Sequence, residues 1–210
     1  MTSNERNHGV FFKRFHTVKN LFSEQECDLI IKYFEKSIPN QASVVNVEES
    51  KDKIIPMRDS TIRDGRVVFC DHRVQELNFA FQKLYYASIW ANFGWSVFPL
   101  RFLQIAKYDA DTDGGFYKRH RDIIHNSKPQ RILTSVTQLS KKENYTGCGL
   151  IFDAKSNAPI SDEYNDQGDT IFFTSIEPHE VTPIRTGTRY SLTAWYEGPT
   201  IWNSESEYNV

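Results

Sequence analysis

The 210-residue chain has only three cysteines, Cys27, Cys70 and Cys148. The count is odd and no pair stands as C-x-x-C, which excludes a disulfide framework and a thiolate zinc site and points to a reducing cytoplasm. Long apolar runs are missing too, so no segment reads as a membrane helix. The start, Met1-Thr2-Ser3-Asn4-Glu5-Arg6-Asn7-His8, lacks the apolar stretch of a secretory signal. Neither charge sign dominates: 25 basic against 27 acidic residues give a net charge of −2, which argues against a nucleic-acid partner. Glycine and proline are modest at 10 and 8 residues, with no repeat or low-complexity tract.

Aromatics, by contrast, are plentiful at 14%, with 15 Phe and 10 Tyr, enough to fill a core or line an apolar cavity. The length suits one domain, 1–210. Within it, 1–100 reads as helical and irregular support, 101–198 as a β core, and 203–210 as a polar tail. Residues 1–20 hold one edge strand. Ser23-Glu24-Gln25-Glu26 reads as a capping box opening a helix to about Ser37, its apolar face carrying Cys27, Ile30, Ile31 and Phe34. Residues 38–60 read as a long loop with one strand. A second helix is expected from about Asp71 to Asn92, burying Val74, Leu77, Phe81, Leu84, Ser88 and Ile89. From Arg101 short β-rich runs alternate with turns: Phe102–Tyr108, Ile132–Leu139, Gly149–Phe152, Thr170–Phe173 and Arg189–Tyr196. That texture predicts an antiparallel sandwich or barrel.

The chemistry concentrates in this second half. His120 and Asp122 flank Arg121, so on an extended segment they project to one side. A third ligand is available in His179, just after the strand Thr170–Phe173. Two imidazoles and one carboxylate match the facial triad of non-haem iron(II) oxygenases, which leaves positions open for a bidentate 2-oxo acid and dioxygen. His-Arg-Asp also occurs in protein kinases, but neither a glycine-rich loop nor D-F-G accompanies it here. His125 is a rival ligand whose offset from His120 does not suit the same strand face, and it reads as a loop residue.

Ten residues after His179 comes Arg189. In Arg189-Tyr190-Ser191-Leu192-Thr193-Ala194-Trp195-Tyr196 the odd-numbered residues share one face. An inward arginine in a β-barrel requires an anion, and the distal carboxylate of a dicarboxylate cosubstrate suits the guanidinium fork. Ser191 adds a hydroxyl on the same face, as does Thr193.

Asp169-Thr170-Ile171-Phe172-Phe173, Pro178-His179-Glu180-Val181 and Thr188–Tyr196 resemble the 2-oxoglutarate/iron(II) dioxygenases. Within these the sequence is most similar to the prolyl 4-hydroxylase-like branch, which includes the hypoxia-factor prolyl hydroxylases and bacterial and viral proteins. The resemblance spans about Leu21 to Gly198. It implies a mainly β fold with packing helices, a double-stranded β-helix (jelly-roll, cupin-like) core, and the cofactors Fe(II) and 2-oxoglutarate, with ascorbate as a reductant. By position, it implies His120, Asp122 and His179 as iron ligands. Arg189 would anchor 2-oxoglutarate, with Tyr108, Ser191, Thr193 and Gln138 beside it. Tyr117, Trp195 and Arg131 would line the substrate side. Gly147-Cys148-Gly149-Leu150 matches the small-residue turn into a core strand. Gln138 stands where the hypoxia-factor branch has a tyrosine, and the segment between Tyr108 and His120 is longer.

The implied reaction is hydroxylation of a prolyl residue in a peptide or protein by molecular oxygen, with succinate and CO2 as co-products. Asp122 favours hydroxylation over halogenation, since halogenating relatives lack that carboxylate. Rival readings are a hydroxylase of a free amino acid or small metabolite, a nucleobase demethylase, a zinc hydrolase, and a non-catalytic jelly-roll ligand-binding module. Against demethylation, Trp195 stands where the repair branch has a second arginine. Against the hydrolase, zinc chemistry would not need Arg189.

Overall fold

The computed structural model describes residues 15–42, 44–46, 55–57, 59–91, 93–111, 115–124, 127–152, 164 and 166–200. In chain order the elements are β1 (Phe15–Val18), α1 (Glu24–Lys36), β2 (Asn40–Gln41), β3 (Val44–Asn46), β4 (Ile55–Met57), β5 (Arg63–Asp64) and β6 (Arg66–Asp71). There follow α2 (Asn78–Trp90), β7 (Phe102–Asp109), β8 (Phe116–His120), β9 (Gln130–Gln138), β10 (Tyr145–Gly147), β11 (Leu150–Ile151), β12 (Thr170–Thr174), β13 (His179–Val181) and β14 (Ile184–Gly198).

A large antiparallel sheet runs β1-β12-β9-β14-β7-β6-β2, with β10 attached to β14, and a smaller one runs β11-β13-β8-β5. This is the jelly-roll core. β3 and β4 form a separate hairpin. Strict alternation along the central strands gives each face of the large sheet its own core. Leu103 and Ile105 of β7 with Leu192, Ala194 and Tyr196 of β14 join Cys27, Ile30 and Phe34 of α1 and Leu84 of α2. The opposite residues, among them Val67, Ala106, Tyr108, Val136, Ile171 and Phe173, face the second sheet through Leu150, Val181 and their neighbours. The site lies in this second space.

α1 starts where the capping box predicts: Glu26 N–H donates to Ser23 Oγ, and the Ser23 N–H donates to Glu26 Oε2. The edge strand expected in the first twenty residues is β1, paired to β12. The second helix begins seven residues later than its periodicity suggests, at Asn78. Residues 66–71 instead pair with β7, and Asp71 then turns the chain by accepting from the Arg73 N–H at 2.8 Å. Between that turn and α2 the chain makes one 3-10 turn, Gln75–Leu77, whose Leu77 still reaches the core. Leu77, Phe81, Leu84 and Ser88 are buried as expected, whereas Ile89 is 55% exposed. The N-terminal support is therefore not only helical, since β1, β2 and β6 complete the large sheet. No helix among the described residues is long and apolar enough to cross a membrane.

Candidate metal centre

His120 ends β8, His179 begins β13, and the two residues face each other in register. Their rings lie 4.2 Å apart between centroids. Asp122 follows β8 and is held by the chain beyond β12: its N–H and that of Ile123 donate to Ser175 O at 3.0 and 2.9 Å. Asp122 Oδ1 is 3.6 Å from His120 Nε2, and Oδ2 is 3.6 Å from His179 Nε2. The three ligand atoms all lie within 4.8 Å of one another.

Each ligand is oriented from behind. His120 Nδ1–H donates to Lys118 O at 2.9 Å and His179 Nδ1–H to Glu177 O at 3.0 Å. A carbonyl can only accept, so the Nε2 lone pairs face Asp122. Thr134 Oγ1 donates to Asp122 Oδ2 at 2.9 Å and is 3.0 Å from Ser175 Oγ. Phe173 and Phe152 wall the His179 ring, with centroids 4.8 and 5.8 Å away. Burial is the largest influence on His179 and lowers its pKa to about 4, with Asp122 opposing, so the imidazole is neutral at pH 7. Burial works against ionised Asp122, but His179, His120 and Arg131 together hold its carboxyl below the usual carboxylate range. Two imidazoles and an ionised carboxylate converging on one point fit a divalent iron.

Arg189 lies on the cavity face of β14, across from Tyr108 on β7, with its side chain fully buried. Its Nε–H donates to Gln138 Oε1 at 3.0 Å, Nη1 reaches Cys148 Sγ at 3.9 Å, and the guanidinium sits 5.9 Å from the Tyr108 ring centre. No carboxylate among the described residues forms an ion pair with it. A buried cation with only neutral neighbours is costly, and a ligand carboxylate supplies the missing charge. Gln138 is committed at both ends, because its Nε2 donates to Ser140 O at 3.2 Å and Tyr145 Oη at 2.5 Å. It thus orients the arginine rather than presenting a free group. Ser191 and Thr193 continue the same buried face.

The remaining expected residues gather at the metal end. Tyr117 stacks on His120 at 3.5 Å between centroids, with the Arg63 guanidinium 4.5 Å over its ring. Burial pushes its phenol up to about 12. The Arg131 guanidinium lies 4.5 Å over the Trp195 ring, and Trp195 stacks against Phe69 at 6.4 Å. Trp195 is in register with Thr134, the residue that holds Asp122. Of the residues singled out from the sequence, His120, Asp122 and His179 converge on one point, Tyr117 packs on His120, Gln138 holds Arg189, and Arg131 packs on Trp195. His125 and most of the segment Asp111–Gly115 lie outside the described residues.

Thr134, Ser175, Tyr145 and Arg63 were not foreseen. Thr134 was within reach, since on β9 it shares the face of Gln138 by period-two alternation. Nothing local in the sequence marks Tyr145 or Arg63, which arrive through pairings of β10 with β14 and of β5 with β8.

Residues 103–197 match the family described as the 2OG-Fe(II) oxygenase superfamily. The fold is similar to a viral collagen prolyl hydroxylase from Paramecium Bursaria Chlorella virus-1, with TM-score 0.62 and 16% identity over 89% of this chain and 97% of that one. It is also similar to a Pseudomonas putida prolyl-4-hydroxylase, with TM-score 0.64 and 18% identity over 89% and 93%. A third similar structure is a Trichoplax adhaerens prolyl hydroxylase in complex with a hypoxia inducible factor oxygen degradation domain peptide fragment, with TM-score 0.62 and 18% identity over 87% and 83%. No curated protein sequence matches the chain significantly.

Proposed function

We propose that this chain, whose residues 103–197 match the 2OG-Fe(II) oxygenase superfamily, is a 2-oxoglutarate-dependent dioxygenase that hydroxylates a prolyl residue in a peptide or protein. One observation carries the reading: a preorganised His-Asp-His triad and a buried arginine with no carboxylate partner among the described residues lie on the same side of the large sheet. Iron(II) and 2-oxoglutarate supply the oxygen chemistry, in which 2-oxoglutarate is decarboxylated to succinate and CO2 while the substrate gains one oxygen atom.

In this reading His120, Asp122 and His179 hold the metal, and Thr134 and Ser175 keep Asp122 aimed at it. Arg189 binds the distal carboxylate of 2-oxoglutarate. Gln138 fixes the guanidinium plane, with Tyr108, Ser191 and Thr193 lining the route between anchor and metal. The aromatic walls Phe152 and Phe173 exclude water from the metal's inner side. Tyr117, Arg131 and Trp195 form a substrate wall in which two aromatic rings carry cations, and the rings suit contact with a proline ring. Likeness to three structures described as prolyl hydroxylases, one holding a peptide, supports the same substrate class. Three free, buried cysteines support a reducing compartment.

The test is direct. The iron-loaded protein, 2-oxoglutarate and ascorbate are incubated with a panel of proline-containing peptides, and products are weighed by mass spectrometry. A one-oxygen gain on a prolyl residue is expected. Succinate formation coupled only to free amino acids would refute the peptide assignment.

A further inference from the structure

Helix α2 buries one side and leaves an apolar ridge on the other. Ala80, Phe81, Leu84, Ala87 and Ser88 are buried, and Tyr196 Oη donates to Leu84 O at 3.1 Å, which ties the helix to the large sheet. The opposite side carries half-buried Phe79 and exposed Gln82, Tyr86, Ile89 and Trp90. Tyr86 is 61% exposed, Ile89 55% and Trp90 81%. α1 packs on the same core yet turns Glu24, Asp28 and Lys32 outward, the ordinary pattern for a helix bordered by water. α2 has a single charged residue, Lys83. Its ammonium is already engaged within the chain, donating to Glu26 Oε2 at 2.6 Å and to Leu21 O at 3.2 Å.

The ridge has the spacing of a helix-pairing seam. Phe79, Gln82, Tyr86 and Ile89 stand three, four and three residues apart, the alternation that keeps one stripe facing a second helix. A groove flanks it on each side. One, of about 510 Å³, runs between Val18, Leu21, Phe79, Tyr86 and Trp90. The other, of about 520 Å³, lies between Tyr85, Ile89, Phe93, Trp95 and Leu133. A ridge and grooves on one face make that face complementary to itself, because the ridge of one copy fits a groove of the other. The three exposed side chains offer on the order of 400 Å² of surface. That is about half of the ~800 Å² that a standard interface buries on each partner, and the groove walls supply the remainder. A ridge without free charge meets its own copy without repulsion. Neither end of α2 is compensated by charge, since its first turn has no acidic residue and its last no basic one. Antiparallel pairing sets each end against the opposite end of the partner helix.

We infer that two copies of this chain associate through α2, antiparallel about a two-fold axis near Tyr86, so that Tyr86 packs against the partner's Tyr86 and Trp90 fills a groove beside the partner helix. The pairing lies on the helix side of the large sheet. The metal centre lies on the other side, among Phe152 and Phe173, so the dimer leaves both centres uncovered.

Sedimentation of the 210-residue chain at about 1–100 µM tests this. The wild type should run at twice the 24.5 kDa chain mass and melt at a temperature that rises with concentration. Tyr86→Glu and Tyr86→Lys each set like charges together at the axis, and each should weaken association at least ~100-fold. Mixed in equal amounts, the two variants should pair again, one chain of each, a rescue that a folding defect would not show. Leu29→Glu, on the exposed side of α1, should leave association unchanged. Should a Tyr86 variant fail to fold, Trp90→Ala replaces it and should weaken the dimer by about 30-fold or more. A wild type that sediments as a single chain across the whole range overturns the inference. So does a dimer that Tyr86→Glu leaves intact or that Leu29→Glu breaks equally, and so do charge variants that stay apart when mixed.

Discussion

Replacing Arg189 by methionine separates a ligand anchor from a structural arginine. The guanidinium is fully buried beside Gln138, Cys148 and Tyr108, none of them anionic at neutral pH. A methionine of similar length removes a desolvated cation that has no counter-charge among the described residues, so the ligand-free variant should be at least as stable as the wild type. With 2-oxoglutarate bound the balance reverses. Losing one partner of a buried charge pair costs on the order of 2–5 kcal/mol, or roughly 30- to 4,000-fold in Kd. Thermal melting with a manganese(II)-loaded protein and rising 2-oxoglutarate reads both effects. At 100 times its Kd, the ligand stabilises the wild type by about 2.7 kcal/mol, which is roughly 5–11 °C for a chain of this size. At the same concentration the variant should gain less than about 1 kcal/mol. An unchanged ligand shift, or an empty variant that is several degrees less stable than the wild type, would refute the reasoning.

Thr134→Val removes the hydroxyl that donates to Asp122 and should weaken metal binding by about 10- to 100-fold, measurable by competition with a metal indicator. Trp195→Ala should depress peptide hydroxylation far more than substrate-free decay of 2-oxoglutarate; equal loss of both would make Trp195 a packing residue. Acid should destabilise the metal-free protein. His179 titrates near 4 when folded and near 6.5 when unfolded, so between those values the unfolded chain binds a proton that the folded one rejects, and stability falls as pH drops through the window. His179→Gln should flatten the fall in melting temperature over that range. Gly168→Ala should lower the melting temperature sharply, because φ is +91° there and a Cβ would stand 1.9 Å from Phe22 O.

The site was more legible than its scaffold. His120 and Asp122 are two apart, and Arg189 through Trp195 alternate, so period-two geometry alone places them on shared faces. Helix α1 was legible because its capping box is a local signal. What failed was long-range. The run from Arg66 to Asp71 adjoins a helical pattern, and only the pairing with β7 makes it a strand. Tyr145 reaches Gln138 through the turn before β10, which no spacing announces.

The central claim is that the triad and Arg189 serve one oxygenation. The most direct measurement uses isotopically heavy dioxygen with the iron-loaded protein, 2-oxoglutarate and a hydroxylated peptide from the panel. The account predicts one heavy oxygen atom in succinate and one in the peptide, formed in equal amounts, with both products lost in His179→Ala. Peptide oxygen drawn from water, or succinate that survives the loss of His179 at the wild-type rate, would contradict it.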